Sequence, residues 1–210
     1  LVFKLCPSDG APTWQAGAAR LLERIRQQRG FGALILNTVG DAQRAYAWLA
    51  DQDLNGARVD LFHARYTAND RSEIEQRILS CFGKNAPREK AAILVATQVV
   101  EQSLDLDFDH MVSDLAPIDL LLQRAGRLHR HRRGSNGQLV ATGQADQRPT
   151  PILEVIAPPM DDGGLPDIQG FVYAPDVQMR TLALLQTTLR IERPADITQA
   201  IEGVYGQADR

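Results

Sequence analysis

Gln123, Arg127 and Arg130 recur at i, i+4 and i+7, and the spacing predicts a helix over residues 117–131. Such a helix gathers an amide and two guanidiniums on one side and sets Leu121, Ala125 and Leu128 on the other. Two arginines one turn apart can grip a polyphosphate in bidentate fashion and stabilise the charge that develops when a phosphoryl group is transferred. The plainer account is a solvated polar face. Gly126 argues for chemistry, because glycine inside a helix costs about 1 kcal/mol relative to alanine, and here it sits beside the arginines as if a ligand or another backbone approaches closely.

A second cluster lies between residues 95 and 107, where an apolar run ends at Thr97 and Gln98, Gln102, Ser103 and Asp105 follow. In open parallel sheets, ligands sit beyond the carboxyl ends of the strands. Thr97, Gln98 and Gln102 can bind phosphate or sugar there, and Asp105 can accept from a ribose hydroxyl. Equally, Thr97 and Ser103 can cap a short turn while Asp105 starts the next element. Asn37-Thr38 and His63-Ala64-Arg65 close two further strand-like runs. Each alone reads as ordinary loop, but three such ends side by side make a row of donors for a phosphodiester backbone. His129 and His131, at i and i+2 on the expected helix, face apart and form no metal pair, so no metal site is expected.

These residues need a scaffold of alternating elements. Short apolar runs at 33–36, 59–62, 92–96 and 152–156, with an apolar opening at Leu1, alternate with helical patterns at 13–29, 41–51, 69–82 and 117–131. Strands alternating with helices of this length indicate an α/β fold with a mainly parallel sheet flanked by helices. Asp41 and Asn69 are candidate N-caps, and Pro117 with Asp119 fits a first helical turn. Residues 134–151 and 158–164 are rich in Gly, Gln, Ser and Pro and read as loops or mobile linkers. A last helix is expected over 177–191, with Leu182, Leu185 and Leu189 on one stripe. The expected organisation is one lobe over 1–157, a linker over 158–175 and a helical extension over 176–210 toward a following domain.

With 210 residues, 44% hydrophobic and 23% charged, the chain can bury one sizeable core, which excludes disorder as its main state. Its net charge of −3 provides no global field for nucleic acid or membrane, so any such binding must come from local patches. Of the 23 basic residues only Lys4, Lys84 and Lys90 are lysines, leaving arginine forks in plenty. Cys6 and Cys81 stand far apart, which argues against a disulfide framework or zinc site and fits a reducing cytoplasm. No apolar run is long enough to span a membrane, and no membrane partner is expected. The chain begins with Leu1 and reads as a piece of a longer protein.

Gln123-Arg124-Ala125-Gly126-Arg127-Leu128-His129-Arg130 resembles motif VI of superfamily 2 helicases, QRxGRxxR. Residues 96–107 resemble their motif V, and Asn37-Thr38 falls where motif IV would. The wording ATQVVEQSLDLDFD followed by LLQRAGRLHRH is similar to the CRISPR-associated helicase-nuclease family of type I systems, in its type I-E branch. The similarity covers residues 30–135, and more weakly 170–205.

The resemblance implies the C-terminal, RecA-like lobe of an ATP-driven translocase on single-stranded DNA, acting in CRISPR interference against foreign DNA. Arg127 and Arg130 would be the catalytic arginine fingers. Gln123, Arg124 and Asp105 would lie at the nucleotide, Asp105 near the ribose and Arg124 in a structural or bridging place. Asn37, Thr38, His63, Arg65, Thr97, Gln98 and Gln102 would line the DNA track. Its partners would be an upstream RecA-like lobe, a nuclease domain of the same protein and a guide-RNA surveillance complex. ATP with Mg2+ would be bound mainly by the upstream lobe, since no G-x-x-x-x-G-K-[ST] occurs here and Gly83-Lys84 is followed by Asn85. Nor is there an Asp-Glu magnesium pair of the DExH type or a His-Asp dipeptide for the nuclease centre. Other readings are the equivalent lobe of another superfamily 2 helicase acting on RNA, or a nonhydrolysing α/β module that docks protein or nucleic acid.

Overall fold

Central strands of a parallel sheet are covered on both faces, so their residues must be apolar throughout. Phe31-Gly32-Ala33-Leu34-Ile35 and Ala92-Ile93-Leu94-Val95-Ala96 meet that demand and are buried along their whole length. The computed structural model describes residues 1–66, 68–88, 90–101, 104–160, 172–187 and 189–206. In chain order its elements are β1 (Val2–Cys6), α1 (Thr13–Gln28), β2 (Phe31–Ile35), α2 (Val39–Ala50), β3 (Arg58–Phe62), α3 (Ala68–Phe82) and β4 (Ala92–Ala96). A 3-10 turn (Gln98–Glu101) follows, then β5 (His110–Asp114), α4 (Ile118–Ala125), β6 (Ile152–Ile156), α5 (Pro175–Gln186), β7 (Leu189–Arg190) and α6 (Pro194–Tyr205). The seven strands form one sheet in the order β3-β4-β2-β5-β6-β1-β7, parallel except for β7 against β1.

Helices cover both faces. Leu21 and Ile25 of α1 and Ala42 and Leu49 of α2 pack with Leu34 and Val95 on one side. On the other side, Ile78 and Phe82 of α3, Leu121 and Ala125 of α4 and Leu182 of α5 pack with Ala33, Leu94 and Met111. Gly17 lets α1 approach closely, since a Cβ there would lie 2.8 Å from Leu34 Cδ1.

Several expectations need correction. The N-cap of α2 is Thr38, not Asp41: Thr38 Oγ1 accepts from the Asp41 backbone N–H at 3.0 Å and donates to the Asp41 carboxylate at 2.7 Å. Asn69 falls inside α3, which begins at Ala68. β5 escapes the sequence pattern because Ser113 and Asp114 interrupt its apolar run, yet it is the strand between β2 and β6. The helix expected over 177–191 stops at Gln186. Its remainder becomes β7, which extends the sheet antiparallel to β1, and Ala200 and Val204 of α6 pack on Ile118 of α4. The expected helical extension therefore returns to the lobe, while most of the expected linker lies outside the described residues.

The Gly-rich stretch at 134–150 is irregular but tethered. Asp107, 0% exposed, takes Arg133 Nε at 2.6 Å, Arg88 Nη2 at 3.1 Å and Arg148 Nη1 at 3.4 Å. Arg148 also reaches Asp109 at 2.8 Å and Asp146 at 2.7 Å, and Arg88 reaches Asp109 at 2.5 Å. Three arginines and three aspartates thus balance, and Arg88 adds a stacked contact 4.2 Å above the Phe31 ring. Removing one partner of a buried ion pair strands the other charge, at a cost of about 3–5 kcal/mol. Asp107→Ala should destabilise the lobe by that amount in urea unfolding, whereas a loss below about 1 kcal/mol would show that Asp109, Asp146 and nearby carbonyls suffice to hold the arginines.

Candidate functional site

Because β3, β4 and β2 are neighbours and run parallel, their carboxyl ends place His63–Arg65, Thr97-Gln98 and Asn37-Thr38 along one edge of the sheet. The row expected from the sequence is assembled, but its members differ in access. Asn37, His63 and Thr97 are buried. Asn37 N–H donates to Asp114 Oδ2 at 2.9 Å and its side-chain amide to the Leu115 carbonyl at 2.8 Å. His63 Nδ1 accepts from the Arg65 backbone N–H at 3.2 Å and its ring stacks on Tyr66 with centroids 4.2 Å apart. Burial pushes the His63 imidazole down in pKa, which favours its neutral form. Arg65 is exposed, Thr38 and Gln98 are half-buried, and Gln98 donates to the Asn37 carbonyl at 3.2 Å. Gln102 lies outside the described residues.

The motif around Arg127 is built differently from the helix expected. α4 ends at Ala125, and Gly126 caps it with φ −64° and ψ −6°, a conformation open to any residue. The next residues pair with the segment before β5 instead of continuing the helix. Phe108 N–H donates to the Arg127 carbonyl and His129 N–H to the Phe108 carbonyl, both at 2.9 Å. Only Gln123 therefore presents itself from the helix, while Arg127 and Arg130 project from the loop. The argument for a helix-interior glycine falls with the helix, although Gly126 and Gln123 are exposed there and Leu128 does enter the core.

Arg127 is half-buried, with Nε 3.4 Å from the Val100 carbonyl and Nη2 3.3 Å from that of Glu101. Desolvation, and then the Arg130 charge beside it, pulls its guanidinium below the ordinary arginine value. Arg130 Nε meets Asp105 Oδ1 at 2.6 Å, and His131 Nε2 meets the same oxygen at 2.9 Å. Burial works to raise the Asp105 carboxyl, but these two hydrogen bonds hold it below the usual carboxylate range. Two guanidiniums repelling each other around one carboxylate form an electropositive surface that an anion would relieve.

Arg124, expected beside the nucleotide, is fully buried, with Glu101 at 2.7 Å, Ser113 Oγ at 2.7 Å and the Tyr173 hydroxyl at 3.1 Å. It ties the turn after β4 to β5 and to the segment before α5. These partners and the contact of His131 were not legible in the sequence, because each depends on chain segments brought together by the sheet. Among the described residues no group of His, Cys, Asp or Glu is placed to hold a metal ion. A cavity of about 570 Å³ opens at the opposite sheet edge, by the amino ends of β2, β5 and β6, and none of the candidate residues lines it.

Residues 28–133 match the family model described as "CRISPR-associated nuclease/helicase Cas3, C-terminal". The chain belongs to the CRISPR-associated nuclease/helicase Cas3 family. It is 53% identical over 116 residues to the CRISPR-associated endonuclease/helicase Cas3 of Escherichia coli (strain K12), a stretch that is 54% of this chain and 13% of that protein. Across 98% of its length it superposes on 24% of the Cas3 chain in the crystal structure of T. fusca Cas3-AMPPNP, with TM-score 0.81 and 34% identity. It likewise matches, over 99% of its length and 25% of the other chain, a chain of a CRISPR RNA-guided surveillance complex in its pre-nicking state, with TM-score 0.75 and 32% identity. The chain thus spans a small part of its Cas3 relatives, and the family read from the motifs is borne out.

Asp114, at the end of β5 beside this row, is buried and its carboxyl is pushed up to about 6 by desolvation, against the pull of the Asn37 N–H and the Thr13 hydroxyl. A folded-state value above the unfolded one means that the folded protein binds the proton first, so Asp114 favours the fold fully below pH ~4 and loses that contribution as pH rises through about 6. His63, His110 and His129, shifted down by burial, act oppositely over the same interval. The difference between the unsubstituted chain and Asp114→Asn isolates the carboxyl. From pH 7 to 4 the unsubstituted chain should gain stability relative to the variant, and parallel stability profiles would contradict the assignment.

Proposed function

We propose that this chain is the C-terminal RecA-like lobe of an ATP-dependent single-stranded DNA translocase of the type I-E CRISPR branch, acting in the cytoplasm against foreign DNA. An upstream RecA-like lobe supplies the phosphate-binding loop and the Mg2+ acid, and a nuclease domain of the same protein cuts the strand. A guide-RNA surveillance complex delivers the DNA. The observation that carries the reading is the pair Arg127 and Arg130, presented together from one loop and repelling each other on an otherwise acidic chain. Two guanidiniums so placed suit the charge of a γ-phosphate in flight, and Gln123 is exposed on the last turns before them. Asp105 offers its carboxylate near the ribose, while the buried Arg124 acts as a brace behind the site. The relatives support ATP use, since the T. fusca Cas3 crystal holds AMPPNP, and the match to a chain of a surveillance complex supports that partner.

At the sheet edge, Thr38, Arg65 and Gln98 take the DNA backbone, a role the motif extends to Gln102. The buried Asn37, His63 and Thr97 shape the turns that present them. Separating the fingers from the phosphate-binding loop couples DNA grip to hydrolysis, because the charge is completed only when the two lobes close.

In the complete protein, Arg127→Ala or Arg130→Ala should lower ATP turnover ~10²-fold or more with nucleotide affinity little changed, as arginine fingers act on the transition state. Arg132→Ala, beyond the motif, should do far less. Equal losses at all three positions in steady-state kinetics would point to a generic basic surface.

Arg65→Ala and Gln98→Ala should weaken single-stranded DNA binding to the same degree for every base composition, since a translocase grips phosphates. Fluorescence titrations with homopolymers that show strong base selectivity would sink the DNA assignment.

A further inference from the structure

Arg130 and Asp105 are well exposed, at 39% and 47%, and a pair so accessible to water is weak enough to be exchanged for a phosphate. His131, the third member of the contact, is 19% exposed and anchored from behind. Its backbone carbonyl accepts from Arg148 Nη2 at 2.5 Å, and Arg148 is bound in turn to Asp109 and Asp146. The backbone that carries the imidazole is therefore tied to the ion cluster, one residue beyond Arg130. Arg127 is held separately, by the Val100 and Glu101 carbonyls.

We propose that His131 is a positioning residue for Arg130: its Nε2–H fixes the Asp105 carboxylate, and that carboxylate holds the guanidinium where it will engage the polyphosphate. An arginine side chain loses considerable rotamer freedom when it is ordered, so a carboxylate already fixed in space removes part of that loss before nucleotide arrives. Both contacts use Asp105 Oδ1, so Oδ2 can accept from a ribose hydroxyl without displacing the finger. The proposal rests on the reading of Arg130 as a finger, and it adds a residue outside the helicase motif to the machinery.

The test is DNA-stimulated ATP hydrolysis by the complete protein, in steady state and in single turnover. His131→Ala should lower kcat ~3–10-fold with KM for ATP and the unfolding midpoint nearly unchanged. His131→Gln, whose side-chain amide can donate to Asp105, should restore most of the rate. In an Arg130→Ala background His131→Ala should cost nothing further, whereas in an Arg127→Ala background it should cost its full factor. Loss in the Arg130→Ala background as large as in the parent, or full kcat in His131→Ala, would overturn the proposal. An Arg130→Ala variant with unchanged turnover would instead overturn the finger reading itself.

Discussion

Two aspartates on the segment leading into β5, the buried Asp107 and the half-buried Asp109, hold Arg88 from the loop after α3 and Arg133 and Arg148 from the connection between α4 and β6. Two irregular stretches, one of them held at two points, are thereby pinned to one strand entry. Such an arrangement gains little net stability over an apolar core, because desolvating the ions offsets most of their attraction. Its effect is positional. A charged side chain at Asp107, 0% exposed, accepts only a geometry in which all its partners are present, and the loop that carries Arg127 and Arg130 inherits that geometry.

The arginines of the motif and of the residues just after it segregate by burial into two jobs. Arg124 and Arg133, at 0% and 2% exposure, are held in permanent ion pairs and cannot leave. Arg130 stands half in solvent in an exposed pair with Asp105, and Arg127 leans on carbonyl oxygens. In the proposed reading, where two lobes close on the nucleotide, this contrast has a use: rigid arginines fix the loop, and accessible ones can exchange their present partners for the ligand.

Much of this was legible in the residues. The apolar runs at β2, β3, β4 and β6 and the turn chemistry after them gave both the α/β class and the row of polar strand ends, most plainly at β2 and β4, which are buried along their whole length and carry no polar side chain. The motif ending at Arg130 located the loop, and the comparisons agree on the family. Helical periodicity then misled. Gln123, Arg127 and Arg130 have the spacing of one helix face, but the backbone of Phe108 competes for the chain after Gly126, and a long-range bridge leaves no trace in local pattern. The same blindness hid β5, whose polar end at Ser113 and Asp114 is satisfied by Arg124 and Asn37 from distant segments. It also hid His131, whose face can be assigned only once the helix is known to have ended.

The central claim is that this chain supplies charge to a nucleotide held by another lobe. The most direct measurement mixes the purified chain with a separately produced upstream lobe and follows DNA-stimulated ATP hydrolysis as the chain is titrated in. The account predicts that neither part turns over ATP alone, and that turnover appears on mixing, saturates, and is absent when the added chain carries Arg127→Ala. Hydrolysis by this chain alone, or a mixture in which Arg127→Ala is as effective as the unsubstituted lobe, would contradict it.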